Sequence, residues 1–203
     1  MSDLDTFTLL PLKIDSKTKA ISSQTSSRAV EAELSSLNQL HRALIGLEGG
    51  AVVPPPPIPV NPKRTANVNK LRDSGNNEFR KSNYAEAIKF YSLGLQMALT
   101  RPLWEPQQLV REEVAALYSN RAQAHMATQC WAEGAVDAEA SVEARKVGNA
   151  KAWWRRGKCL MEMGRHEEAR EWVGKGLEME GEETELVTLL KDIESRVAKL
   201  GSP

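Results

Sequence analysis

The sequence predicts an all-α fold: a superhelix of paired helices closed by a capping helix, with a small β-hairpin/helix segment ahead of it. Three observations predict this. Residues 65–203 hold only three prolines, Pro102, Pro106 and the terminal Pro203, so long helices can run unbroken. A pattern of small and aromatic residues recurs three times in that stretch. Aromatic residues make up 5% of the chain, which is low for a sandwich or barrel built from aromatic and β-branched side chains. With 203 residues, 41% of them hydrophobic, the chain can bury the core of one such domain with an appendage.

Residues 1–50 form the first zone. TFTLLPLKID and SKTKAISS read as two short strands about a polar turn at Asp15–Lys17. Ser22–Ser27 offers caps for a helix over 28–46. Val30, Leu34, Leu37, Leu40, Leu44 and Leu47 fall on one stripe of that helix. A hairpin and one helix bury too little apolar surface to be stable alone. The stripe therefore packs on the rest of the chain or docks a partner protein, and the spacer that follows favours a partner. That spacer, residues 51–66, holds four consecutive prolines. Such a run favours a stiff polyproline helix and reads as a linker, with an SH3-type ligand as the alternative.

The third zone, residues 67–203, carries the repeats. Gly75, Ala122 and Gly157 are small residues in the first helix of each unit. Tyr84, Trp131 and His166 mark the turns. Ala87, Gly134 and Ala169 follow three residues later. Small residues at these points let paired helices approach closely. Ala122 and Gly157 lie 35 positions apart, near the 34-residue period of a tetratricopeptide repeat. Gly75 and Ala122 lie 47 apart, so the first junction carries an insertion around 100–112, either a loop or longer helices. Over 183–199, Leu186, Leu189, Leu190, Ile193 and Val197 keep helical spacing, with Leu200 one position on. This is an amphipathic helix suited to capping the last repeat.

Chemistry is sparse. The three histidines are scattered and no Cys-x-x-Cys pair occurs, so no metal site is expected. No phosphate loop or nucleophile elbow appears, so neither catalysis nor a cofactor is expected. Cys130 and Cys159 fall in segments read as helical and are expected to be free, buried thiols. Lys+Arg and Asp+Glu are balanced at 27 each, which argues against a nucleic-acid surface. No apolar run reaches a membrane span, and the chain is expected to be cytosolic.

One constellation stands out. In a right-handed stack, the first helix of each repeat lines the concave groove. Arg72 and Asn76 share a face in repeat one, Asn120 lies in repeat two, and Lys151 and Arg155 share a face in repeat three. No acid is expected on the stripe Lys151, Arg155, Lys158. Cations and carboxamides converging in a groove suit capture of paired carboxylates, such as a chain terminus and its own Asp side chain. The alternative is that these are solubility residues on exposed faces.

At these residues the chain resembles the carboxylate-clamp tetratricopeptide domains of co-chaperones. The matching runs are LRDSGNNEF with Arg72-x-x-x-Asn76, LYSNRAQAH with Asn120, and KAWWRRGK with Lys151-x-x-x-Arg155. Arg72 departs from the commoner Lys. The resemblance covers about 68–180. It implies that Arg72, Asn76, Asn120, Lys151 and Arg155 bind the Glu-Glu-Val-Asp tail of seventy- or ninety-kilodalton heat-shock chaperones. Phe79 would then be an apolar wall for the Val, or a core residue. The wider layout, including RPLWEP, resembles the Sec seventy-two family of fungal endoplasmic-reticulum translocon subunits. That family implies a peripheral position on the cytosolic face and partners of the Sec seventy-one and Sec sixty-three types. It also implies recruitment of heat-shock-seventy chaperones. Two rivals use the same residues: a structural scaffold whose groove grips a fixed subunit, and a soluble co-chaperone of the ninety-kilodalton class.

Overall fold

The computed structural model describes residues 10–24, 27–45, 60, 62–102 and 105–200. They belong to two compact units, Met1–Pro59 and Val60–Pro203.

In the first unit, β1 (Leu12–Ile14) pairs antiparallel with β2 (Ile21–Ser23), with Leu12 opposite Ser23 and Ile14 opposite Ile21. The turn is tied by Asp15. Its carboxylate accepts from the Thr18 N–H at 2.6 Å, the Thr18 hydroxyl at 2.8 Å and the Lys17 N–H at 2.9 Å. These bonds favour the ionised form and lower the Asp15 pKa, the Thr18 amide most of all. Helix α1 (Arg28–Ile45) starts at a Ser27 cap, whose hydroxyl accepts from the Val30 N–H at 3.3 Å. Asn38 of α1 clasps β2: its Oδ1 accepts from Ile21 N–H at 2.6 Å and its Nδ2 donates to Ile21 C=O at 2.8 Å. Val30, Leu34, Leu40 and Leu44 are half-buried and Leu37 is exposed. Leu47, residues 6–9 of the first strand reading and the prolines of 54–57 lie outside the described residues.

The second unit holds α2 (Pro62–Arg80), α3 (Tyr84–Leu99), α4 (Gln107–Ala127), α5 (Trp131–Ala144), α6 (Ala150–Glu162), α7 (His166–Glu180) and α8 (Thr184–Leu200). Helix α2 begins within the range read as linker. Pro62 suits the first helical position, where its missing N–H would be unsatisfied anyway. The pairs α2/α3, α4/α5 and α6/α7 are the three repeats. Each second helix begins at the aromatic or His singled out above. Two residues before each start, the backbone turns left-handed, at Ser82 (φ 64°), Gln129 (φ 60°) and Gly164 (φ 77°). One reversal is thus built three times, with glycine used only in the third.

The small residues are needed where they stand. A Cβ on Gly75 would lie 2.5 Å from the Tyr91 ring. One on Gly157 would lie 2.4 Å from Val173 Cγ2 and 3.1 Å from Leu189. Buried Val68, Tyr91, Leu95 and Leu117 form one core cluster, and Trp153, Leu160, Val173, Leu186, Leu189 and Ile193 form another. Helix α8 therefore caps the array through the predicted apolar positions, although the Leu200 side chain lies outside the described residues. Cys159 is buried in α6, but Cys130 is exposed: α4 stops at Ala127 and leaves Cys130 in the turn before α5.

In the insertion, Arg101, Pro102, Glu105 and Pro106 lie outside helix and a long α4 follows from Gln107. Buried Arg101 pins it, bonding Glu105, both carboxylate oxygens of Glu113 (2.5 and 2.9 Å) and the Thr65 hydroxyl of α2 at 2.6 Å. The Glu113 bonds, foremost, raise the Arg101 pKa. Leu103 and Trp104 lie outside the described residues.

Replacing Gly157 by Ala forces α6, α7 and α8 apart. Overpacking of this kind costs about 1–3 kcal/mol. Thermal unfolding of Gly157→Ala is expected several degrees below the parent. An unchanged midpoint would mean that the close approach is not needed.

Candidate peptide-binding groove

Asn76 on α2 is oriented from two sides. Its Oδ1 accepts from the Tyr91 hydroxyl at 2.8 Å and from Asn120 Nδ2 at 3.0 Å. The predicted carboxamides from repeats one and two are thus in contact. Because Oδ1 takes both donors, the Asn76 Nδ2 group keeps its two N–H donors without a partner among the described residues. Arg72, one turn earlier, is half-buried, with its Nε 3.7 Å from the carboxylate of Asp73. No bond joins it to the other four predicted residues.

Lys151 and Arg155 stand one turn apart on α6, and their environments differ sharply. Lys151 is exposed, whereas Arg155 is only 7% exposed. Arg155 Nη1 donates to the Ser119 C=O at 2.8 Å and to the Ser119 hydroxyl, and Nη2 donates to Gln123 Oε1 at 2.7 Å. These bonds use three of the five guanidinium N–H donors and leave two. All three acceptors are neutral, and no carboxylate pairs with Arg155 among the described residues. Burial disfavours the charged form and pushes the Arg155 pKa down to about 10; the field of Glu185 and that of Tyr91 oppose this. Arg155 therefore remains a cation at neutral pH, desolvated and in no ion pair among the described residues.

Two adjoining cavities flank these cations. The larger, about 750 Å³, is lined by Phe79, Trp131, Trp154, Lys151 and Arg155, with α8 closing its far side. The smaller, about 470 Å³, is lined by Ser119, Asn120, Asn149, Lys151, Arg155 and Glu180. Lys151 and Arg155 line both. Asn120 lies in one and Phe79 in the other. Phe79 also packs on the first core cluster and against Tyr84, with ring centroids 5.2 Å apart, so its wall and core positions coincide.

The expectation of an acid-free stripe on α6 is corrected. Glu162, one turn beyond Lys158, pairs with it at 2.7 Å. Helix α8 also brings Glu185 and Asp192 to the larger cavity. Sequence reading missed the residues that hold the groove. Ser119 and Gln123 are i and i+4 on α4, so helical spacing alone puts them on one face beside Asn120. Tyr91 carried no such signal, because its link to Asn76 depends on the packing of α3 on α2.

Residues 150–182 match the tetratricopeptide repeat family. Over 143 residues the chain is 37% identical to the ER protein translocation subcomplex subunit sec67 of Schizosaccharomyces pombe, covering 70% of this chain and 74% of that protein. A chain in the cryo-EM structure of the Sec complex from S. cerevisiae shares the fold, with TM-score 0.67 and 22% identity over 95% of this chain and all of that one (100%). The first tetratricopeptide domain of Spaghetti (RPAP3), bound to the HSP90 peptide SRMEEVD, superposes with TM-score 0.54 and 26% identity over 66% of this chain and 94% of that one. The second unit is a tetratricopeptide superhelix.

A buried cation without a counter-charge is a cost to folding, and an apolar side chain of similar length removes it. Arg155→Met is expected to leave the thermal midpoint unchanged or raise it by a few degrees. A drop like that of Gly157→Ala would assign Arg155 to holding the fold.

Proposed function

The chain belongs to the family of the ER protein translocation subcomplex subunit sec67, and we propose that it is a non-enzymatic adaptor of post-translational translocation into the endoplasmic reticulum. In this reading its groove docks cytosolic heat-shock-seventy chaperones by their C-terminal Glu-Glu-Val-Asp tail. The observation that carries it is the un-neutralised, buried Arg155 between two cavities. A carboxylate on its two free donors supplies the missing counter-charge, and a charge-assisted bond of that kind contributes about 1.5–3 kcal/mol. Asn120 and Lys151 line the adjoining cavity, and in this reading the Asn76 Nδ2 group and Arg72 join them in binding the paired carboxylates of a terminal Asp. Phe79 forms the apolar wall for the preceding Val.

The adaptor sits peripherally on the cytosolic face of the membrane, held by subunits of the Sec seventy-one and Sec sixty-three types. No helix among the described residues is long and apolar enough to cross a membrane. The half-buried stripe Val30, Leu34, Leu40 and Leu44, with exposed Leu37, is the surface offered to such a subunit. Docking, spacing and capture fall in separate segments, 1–50, a spacer that ends where α2 begins at Pro62, and the helical unit that follows. A second reading, capture of a ninety-kilodalton chaperone, is favoured by the likeness to a domain bound to SRMEEVD.

Titration calorimetry with a nonapeptide ending in Glu-Glu-Val-Asp is expected to give a dissociation constant on the order of 10 µM, weakening with salt. Lys151→Ala and Arg155→Glu are each expected to weaken it at least tenfold, the loss of one charge-assisted contact. Unchanged affinity in both variants would remove the clamp and leave the scaffold reading.

A further inference from the structure

The larger cavity is not uniformly cationic. Its α6 side carries Lys151, Arg155 and Lys158, and its α8 side carries Glu185 and Asp192. Two of those cations are already engaged, Lys158 by Glu162 at 2.7 Å and Arg155 by Ser119 and Gln123. Neither Glu185 nor Asp192 forms an ion pair among the described residues. They are seven positions apart in α8, two helical turns, and so present both carboxylates on one side with Thr188 between them. The groove is thus dipolar: cations and carboxamides at the Asn120 end, carboxylates at the α8 end, and an apolar floor of Phe79, Trp131 and Trp154 between.

We infer that the α8 wall, through Glu185 and Asp192, reads the charge of the peptide segment that precedes the acidic tail, favouring Lys or Arg there and rejecting Asp or Glu. This rests on the tail-docking reading above and adds to it the selection among tails. If the terminal carboxylates sit at Asn76, Asn120 and Lys151, the preceding residues leave through the larger cavity, whose far side is α8. An extended chain covers about 3.3 Å per residue, so the segment reaches that wall within a few residues. A cation there meets two unpaired carboxylates, and an acid meets like charge.

Three nonapeptides test this on the full chain. All end in Glu-Glu-Val-Asp, and the fifth and sixth residues from the C-terminus, the two just before that motif, are changed together to Arg-Arg, Ala-Ala or Glu-Glu. Calorimetry at low salt is expected to rank them Arg, Ala, Glu, with roughly fivefold between neighbours, a spread that narrows at high salt as exposed pairs are screened. The double variant Glu185→Lys/Asp192→Lys is expected to invert the order. Equal affinities for all three, with Lys151→Ala still abolishing binding, would overturn the wall and leave the clamp intact. No binding by any of the three would overturn the tail reading itself, and the wall with it.

Discussion

Arg155 reaches from α6 across to α4, and the charge of the groove depends on that reach. Its guanidinium is buried against the Ser119 backbone carbonyl, the Ser119 hydroxyl and Gln123. Neutral oxygens fix the fork's direction without cancelling its charge. An acid in their place would have given a stable internal salt bridge, as Glu113 and Glu105 do for Arg101 in the insertion. Among the described residues two arginines are buried and treated oppositely: Arg101 is neutralised and locks a loop, whereas Arg155 is left charged beside open space. That contrast is the ground for proposing that Arg155, unlike Arg101, meets a carboxylate from outside the chain.

The carboxamide end of the groove depends on helix packing in the same way. Gly75 lets the Tyr91 ring come within the space a Cβ would occupy. The hydroxyl of that ring then bonds Asn76 Oδ1 and leaves the Asn76 N–H donors without a partner among the described residues. A small residue chosen for helix approach therefore also sets the orientation of a binding side chain. Fold and site are not separable layers here. Asn76 and Arg155 are each aimed by partners on a different helix, and such pre-orientation lowers the ordering cost of binding.

Much of this was legible in the sequence because a repeat multiplies its own signal. The helix starts at Tyr84, Trp131 and His166, the capping face of Leu186, Leu189 and Ile193, and the Ser27 cap all follow from spacing. Helical arithmetic also put Arg72 with Asn76 and Lys151 with Arg155. It could not show that Lys151 is exposed while Arg155 is buried, because that difference comes from how α4 lies on α6. The acids of α8 were hidden for the same reason: a capping helix reads as an apolar stripe, and its polar edge acquires meaning only beside the groove. Cys130 was misplaced because the turn before α5 carries no glycine or proline; Gln129 takes the left-handed position instead. The neutral total charge says nothing of any of this, since cations and acids are sorted onto opposite walls of one groove.

The most direct measurement is NMR of the isotope-labelled chain, following the Arg155 guanidinium resonances during titration with a tail peptide as the free acid and as its C-terminal amide with Asn replacing the last Asp. Arg155 and the Asn76 side-chain amide are expected to shift with the acid and to stay in place with the peptide that lacks both terminal carboxylates. Equal shifts with both peptides, or none with either, would show that the buried charge is not compensated by a carboxylate and would contradict the account.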